Sequence, residues 1–193
     1  MSFVTPRREL AAIPWRRQPM VVVCPPSHRI AQLTTVQGGV KPTDLTRERF
    51  VAFDRELPAR REIDRFLRRH EVHVNITAEF DNIETIKQAV DEGAGIAIVP
   101  EPTLRREVRR GTLVQSPFIL PPGASPLVRP LSIVHRRNRR LHPAVTEFIK
   151  LLQSDGTETA VDRQTPDGAT DSATRDGNPH PSSSKQVPSS ADV

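Results

Sequence analysis

The side chains best suited to hold a ligand lie at two places where a predicted strand leads into a predicted helix. One junction follows the apolar segment at residues 50–53, and the other follows the alternating segment at residues 74–80. A helix N-terminus directs unpaired amides and partial positive charge outward, and ligands of open α/β sheets settle at such strand ends. The two junctions therefore predict a site for a small anion. Arg60 and Arg61 lie at the first of these helix starts.

The two arginines of the first junction admit a second interpretation. Glu56 and Glu62 lie within a few positions of Arg60 and Arg61, and ion pairs between close neighbours are common on helix surfaces. The sequence leaves open whether these guanidinium groups face a ligand or pair with the two carboxylates.

Other reactive residue types occur without the partners that catalysis or metal binding requires. His70 and His73 are three positions apart at a predicted turn, with no cysteine or further histidine nearby to complete a metal site. Cys24 ends an apolar run, which favours a buried, unreactive thiol. No nucleophile elbow or phosphate-binding glycine loop is present. We therefore predict no catalytic residue, no metal and no cofactor.

Composition indicates a domain of ordinary size followed by a polar C-terminal segment. The 193 residues carry a net charge of +5, and 36% of them are hydrophobic. Residues 154–193 contain seven acidic residues, three basic residues and no aromatic residue. Such a segment buries too little apolar surface to offset the entropy of ordering, so we predict a disordered tail. Direct nucleic-acid binding is disfavoured because the arginine pairs are dispersed and lack interleaved aromatic side chains.

No segment predicts membrane insertion or export. The longest apolar run, residues 20–24, is far shorter than the roughly 20 residues of a membrane helix. The N-terminal residues lack the charged start and apolar block of a secretory signal. The single cysteine excludes an internal disulfide. Together these features predict a cytoplasmic protein.

Strand and helix patterns alternate along the chain, which predicts an α/β fold with a largely parallel sheet. Predicted strands occupy residues 20–24, 50–53, 74–80, 95–99 and 130–135. Predicted helices occupy residues 44–49 and 101–110 and the segments that begin near Pro58, Asp81 and Pro143. The residues between 24 and 44 are predicted to form a loop.

Two local patterns make sharper predictions. Alternation along residues 74–80 predicts a half-exposed strand with four apolar residues on one face, namely Val74, Ile76, Ala78 and Phe80. At the helix that follows, the Asp81 side chain is expected to accept a hydrogen bond from the amide of Glu84. The Glu84 carboxylate would return the bond and complete a capping box.

Several short motifs follow one another along the chain, and their order is more specific than any single motif. Two examples are Glu79-Phe-Asp-Asn-Ile-Glu-Thr-Ile-Lys-Gln-Ala-Val90 and Gly93-Ala-Gly-Ile-Ala-Ile-Val-Pro100. The others occupy residues 18–28, 50–54, 61–67, 106–113, 129–136 and 148–152. Over roughly residues 2–153, this series resembles the effector-binding region of LysR-type transcriptional regulators.

The resemblance implies a fold like that of type 2 periplasmic binding proteins, in which two α/β subdomains flank a cleft for a small, often anionic metabolite. Thr5 matches the loop before the first crossover, and residues 58–61 and 80–82 match helix starts that face the cleft. The effector-binding residues that the resemblance implies in these two segments are Pro58, Arg60, Arg61, Phe80, Asp81 and Asn82. The implied divisions are residues 1–19 as the remnant of subdomain one and the crossover, 20–135 as subdomain two, 136–153 as the helix returning to subdomain one, and 154–193 as the tail.

The sequence departs from that family because the winged helix-turn-helix and the first half of subdomain one have no counterpart. We therefore expect a C-terminal fragment that retains one cleft wall. DNA would be contacted only through the absent helix-turn-helix, and the full-length form is expected to be a homo-oligomer.

The predicted function is that of an effector-sensing domain that binds a small, probably anionic metabolite to control transcription. A stand-alone solute-binding protein of the same fold is the alternative, and the lack of an export signal counts against it. An enzyme on an α/β scaffold is a third hypothesis, disfavoured because paired acid, base or nucleophile groups are not found.

Overall fold

The computed structural model describes residues 8–138 and 140–157, with side chains described as far as residue 154. The strands are β1 (Leu10–Cys24), β2 (Arg49–Phe53), β3 (Asn75–Phe80), β4 (Ala97–Pro100), β5 (Val114–Ser116) and β6 (Val128–Arg136). The helices are α1 (Arg29–Gln37), α2 (Pro58–Arg69), α3 (Ile83–Asp91), α4 (Arg105–Arg110) and α5 (Pro143–Thr157), with 3₁₀ turns at Pro42–Leu45 and Glu101–Leu104. Within the described ranges, no helix has the length and apolar character needed to cross a membrane. Almost all of the predicted tail lies outside those ranges.

β1 organises the sheets because this one strand pairs with three others. Its outer half, residues 10–19, pairs antiparallel with β6. Its inner half pairs antiparallel with β4 and β5, so that Val22 lies opposite both Ile98 and Ser116. The last five residues of β1 are all buried, which explains why they form an uninterrupted apolar run.

β2 and β3 pair in parallel, with Phe53 opposite Phe80 at their carboxyl ends. β2 also meets the segment that leads into β4, where the Ile96 amide donates to the Arg49 carbonyl at 2.8 Å. Gly95 permits this close approach, because a Cβ atom at that position would overlap the Arg49 carbonyl oxygen. A side chain there would force the two segments apart.

The core lies where the inner half of β1, β2 and β4 meet helices α1, α2 and α3. Ile30 of α1, Phe66 of α2 and Ile86 of α3 are among the most deeply buried side chains. Phe66 also packs against the ring of Phe118, with ring centroids 4.8 Å apart. Each such side chain contributes on the order of 1.5–3 kcal/mol through burial.

The α/β class is confirmed, but the prediction of a largely parallel sheet is wrong for β1. β2 and β3 are parallel, and the isolated bridge between Phe50 and Ile96 is parallel as well. β1, however, runs opposite to each of its three partners. Alternation of strands and helices predicts parallel neighbours only when each strand enters the sheet from the same end, and β1 enters from the other end.

Helix α1 lies in a segment that the sequence predicts as a loop. Its start is capped by His28, whose side chain accepts from the Ile30 amide at 3.2 Å, and its end is closed by Gly38 at a φ of 75°. The helix has few buried residues, so its apolar periodicity is weak. The predicted helix at residues 101–110 is present as a 3₁₀ turn that leads into α4.

The predicted helix at residues 44–49 is wrong, and the structure has the 3₁₀ turn Pro42–Leu45 instead. The Asp44 carboxylate accepts from the Lys41 amide at 2.8 Å and fixes the start of this turn. Arg47 then adopts a φ of 64°, a left-handed conformation that an α-helix cannot contain.

The simple alternation predicted for β3 is interrupted. The register with β2 shifts between Phe50 and Val51, which leaves Thr77 as an extra residue on β3. Such a bulge disrupts the ladder locally and can re-aim a neighbouring side chain. Ile76, beside this shift, is 42% exposed, whereas Val74, Ala78 and Phe80 pack against the core as predicted.

α5 packs against the outer half of β1 over a small area. The Trp15 indole Nε1 donates to the Leu152 carbonyl at 2.7 Å, and Ile149 is buried. The helix runs to Thr157, past the predicted boundary at residue 153. Its exposed large apolar residues are Val145, Phe148 and Leu151, at 43%, 60% and 64%. This apolar face lies open to solvent.

We expect the chain expressed alone to self-associate through α5, because exposed apolar patches drive association. Sedimentation velocity should show oligomers of the wild type. The double variant Phe148→Lys/Leu151→Lys should sediment as a monomer at the same concentration.

The matched control is Thr146→Lys/Ser154→Lys, which adds the same charge to exposed polar positions of α5. This control should still associate. A wild-type chain that stays monomeric over the same concentration range would show that the apolar face of α5 does not drive association.

Candidate functional site

Arg60 lies in the first turn of α2, yet its guanidinium group faces the protein interior. Its Nη1 donates to the Phe53 carbonyl at 2.6 Å and to Glu79 at 3.0 Å, and its Nε donates to Asp64 at 2.9 Å. The residue is only 5% exposed. Burial by itself lowers the pKa of Arg60, but the two carboxylates outweigh burial and raise that pKa. Arg60 therefore ties α2 to the ends of β2 and β3.

Arg61, the next residue, faces solvent. Its Nη2 donates to the Glu56 carbonyl at 3.2 Å and not to a carboxylate. Glu62 pairs with Arg65 instead. Across the residues that the structure describes, neither Arg60 nor Arg61 forms the predicted ion pair with Glu56 or Glu62. The two adjacent arginines thus have different environments, one internal and one exposed.

The two predicted junctions meet at one edge of the β2–β3 sheet. Phe53 and Phe80 are register partners, and the Asp54 amide donates to the Phe80 carbonyl at 2.9 Å. Because β2 and β3 are parallel, α2 and α3 both start from this edge. The structure thus brings residues 58–61 and residues 80–82 to the same end of the sheet, as predicted.

Asn82, not Asp81, caps α3. The Asn82 side chain accepts from the Glu84 amide at 2.8 Å, and its extended backbone is that of an N-cap residue. The Glu84 carboxylate pairs with Lys87 at 2.9 Å. The predicted capping box between Asp81 and Glu84 is therefore wrong by one position. Thr5, the remaining candidate, lies outside the described residues.

Comparison with known proteins establishes the family. Residues 2–156 match the family described as LysR substrate binding domain. The chain belongs to this family. A probable RuBisCO transcriptional regulator of Synechocystis sp. is 28% identical over 144 residues, which cover 73% of this chain and 39% of that relative. This LysR domain therefore spans about two fifths of that relative's length.

Solved effector-binding domains share the fold of this LysR domain. The CcmR regulatory domain of Synechocystis, in complex with 2-PG, has a TM-score of 0.67 and 23% identity, and covers 81% of this chain and 71% of its own. The BenM effector-binding domain with its effector benzoate has a TM-score of 0.64 and 16% identity, and covers 84% and 70%. The predicted fold, like that of type 2 periplasmic binding proteins, is confirmed.

In this LysR domain, Cys24 is buried and His70 contacts an aromatic ring. Burial raises the pKa of Cys24 to about 12, so the thiol stays protonated at neutral pH. His70 packs against the Phe66 ring, with centroids 4.7 Å apart. In the described part of the chain, no group of three His, Cys, Asp or Glu side chains is placed to hold a metal ion.

A charged cavity of about 350 Å³ between α3 and α4 escaped prediction from the sequence. Lys87, which is 5% exposed, donates there to the Thr103 carbonyl at 2.9 Å and to Glu107 at 3.0 Å. Burial lowers the pKa of Lys87, but the carboxylates of Glu84 and Glu107 outweigh it and raise that pKa. The sequence pattern does not indicate this lysine. Lys87 follows the buried Ile86 in α3, and its partner Glu107 lies on a different helix, α4.

Replacing Arg60 by methionine should lower the free energy of unfolding by about 2–3 kcal/mol, because the Phe53 carbonyl and two carboxylates lose their donor. Arg61→Met should change it by less than about 0.5 kcal/mol, because that side chain is exposed. Urea denaturation of both variants measures these values. Equal losses in the two variants would contradict the assignment of Arg60 as the internal residue.

Comparing the stability of the wild type and Arg60→Met at low pH tests whether the carboxylates that pair with Arg60 cause the difference. Bonds from Arg60 and Arg55 lower the pKa of Glu79 below its ordinary value of 4.5. This stabilisation is complete above pH 4.5 and is lost as the pH falls through the lower folded-state pKa. The stability difference between wild type and Arg60→Met should therefore shrink at pH 3, and a constant difference would exclude the carboxylates as its source.

Proposed function

We propose that this LysR domain is an effector sensor that binds a small anionic metabolite where α2 and α3 begin. The observation that carries the proposal is the exposed Arg61 guanidinium at an edge where two helix N-termini start. A helix N-terminus offers unpaired amides and partial positive charge to an anion. Two such termini and the exposed Arg61 favour a carboxylate or a phosphate.

The site residues divide into those that contact the ligand and those that position them. Arg61 supplies the charge, and Asn82 fixes the first turn of α3 through its bond to the Glu84 amide. Arg60 acts as a positioning residue, because its donors are used on the protein's own acceptors. The other members of the proposed site are Thr5, Pro58, Phe80 and Asp81.

Related effector domains support an anionic ligand. The BenM domain was solved with its effector benzoate, which is a carboxylate, and the CcmR domain was solved in complex with 2-PG. Both share the fold of this chain. The proposal carries over the ligand class, not the individual compounds.

We further propose that effector binding controls transcription in the cytoplasm, with this domain acting as a sensor and not as an enzyme. The chain spans 39% of the Synechocystis relative, which is a probable transcriptional regulator. In this proposal a helix-turn-helix outside the matched part contacts DNA. The effector region joins copies of the regulator into a homo-oligomer.

An NMR titration with benzoate, and with benzamide as its neutral counterpart, tests the binding site. Benzoate should shift the amides of residues 56–62 and 80–84 with a dissociation constant of about 1 mM, equivalent to roughly −4 kcal/mol. Arg61→Gln should weaken binding about tenfold, since a hydrogen bond to a charged group contributes about 1.5–3 kcal/mol.

The control is Arg68→Gln, which removes an equally exposed arginine from the last turn of the same helix. Binding to this variant should match that of the wild type. Shifts spread over all the arginine pairs, or equal binding of benzamide, would mean that no anion site exists at this edge.

A further inference from the structure

A second set of polar residues shares one face of the ribbon formed by the outer half of β1 and by β6. Gln18 lies opposite Arg129, and Arg16 lies opposite Leu131. Directly opposed side chains in an antiparallel pair lie about 5 Å apart on the same face, and diagonal neighbours lie about 7–8 Å apart. Arg16, Gln18 and Arg129 are therefore adjacent. Arg17, on the opposite face, is exposed.

These three residues hold polar atoms that are buried without a partner. The Nε atoms of Arg16 and Arg129 and the Oε1 atom of Gln18 have no hydrogen-bond partner. Buried polar atoms in folded proteins are paired in the great majority of cases. Over the described residues, only Glu107 adds a further side-chain atom to this set, so the unpaired atoms concentrate on this face.

The two arginines also lack a counter-ion. Within residues 8–138 and 140–154, neither Arg16 nor Arg129 forms an ion pair, and Arg16 instead lies over the Trp15 ring at 4.8 Å. Burial lowers the pKa of Arg129, and no carboxylate offsets this effect. Two neighbouring guanidinium groups, each with a buried and unpaired Nε atom, favour an anion between them.

We propose that Arg16, Gln18 and Arg129 form a site for a small oxyanion that also carries a hydroxyl group. The guanidinium groups would donate to the anionic oxygens, and the unpaired Gln18 Oε1 would accept from the hydroxyl. Inorganic phosphate has both features at neutral pH. Sulfate has the same tetrahedral shape and a similar charge but lacks the O–H group. The site shares no residue with the α2–α3 edge, so each proposal can fail separately.

A titration of the ¹⁵N-labelled full chain with phosphate and with sulfate, in chloride buffer, tests this site. Phosphate should give saturable shifts at residues 16–18 and 128–131 and should bind more tightly than sulfate. Arg129→Met should weaken phosphate binding at least tenfold, because a hydrogen bond to a charged group contributes at least about a factor of ten. Arg17→Met, on the same strand but the opposite face, should leave binding unchanged.

Thermal unfolding distinguishes a variant that has lost the binding site from one that has lost its fold. Without phosphate, Arg129→Met should be at least as stable as the wild type, because the buried Nε atom of Arg129 has no partner. Phosphate should raise the unfolding temperature of the wild type and of Arg17→Met only. A strong loss of stability in Arg129→Met without phosphate, equal effects of Arg17→Met and Arg129→Met, or equal affinities for phosphate and sulfate would each overturn the proposal.

Discussion

The continuity of β1 is the constraint on which the rest of the domain depends. One strand of 15 residues carries two kinds of pairing, with β6 along its outer half and with β4 and β5 along its inner half. Burial changes along it in the same way, from half-buried alternation to five buried residues in succession. Pro14 and Pro19 fall in the outer half, where β6 is the only paired strand among the residues that the structure describes, so a missing amide donor is tolerated.

This division sets which part of the molecule is rigid. The inner half of β1 belongs to the core that also holds β2, β4 and the apolar faces of α1, α2 and α3. The proposed effector edge is built on that core, and Arg60 locks α2 to β3 through Glu79. In the part of the chain that the structure describes, the outer half of β1 pairs only with β6 and is contacted by α5. Ligand contacts at the effector edge therefore rest on a preorganised frame, which reduces the entropy lost on binding.

The buried strands and helix α2 could be predicted from the sequence because their signals are local. Residues 20–24 and 50–53 are short apolar runs, and Ile63, Phe66 and Leu67 repeat at helical spacing. The order of motifs was specific enough to indicate the family. Helix α1 was missed because its apolar periodicity is weak and its cap is the uncommon His28 side chain.

The rest depends on contacts between distant residues. The role of Arg60 is fixed by Glu79, which reaches it only through the parallel register of β2 and β3. Ile76 is exposed next to a register shift with β2, which the sequence of its own strand does not reveal. The unpaired polar atoms of Gln18 and Arg129 become neighbours through a register that spans more than a hundred residues. Local pattern cannot supply such pairings, so candidate positions were predictable but their partners were not.

Native-state hydrogen exchange along β1 tests most directly the claim that one strand joins a rigid body to a weakly supported ribbon. The amides of residues 21–24 should exchange only through global unfolding. The hydrogen-bonded amides of residues 10–18 should exchange through local opening, at a free energy lower by roughly 2 kcal/mol or more. A single opening free energy along the whole strand would contradict the account.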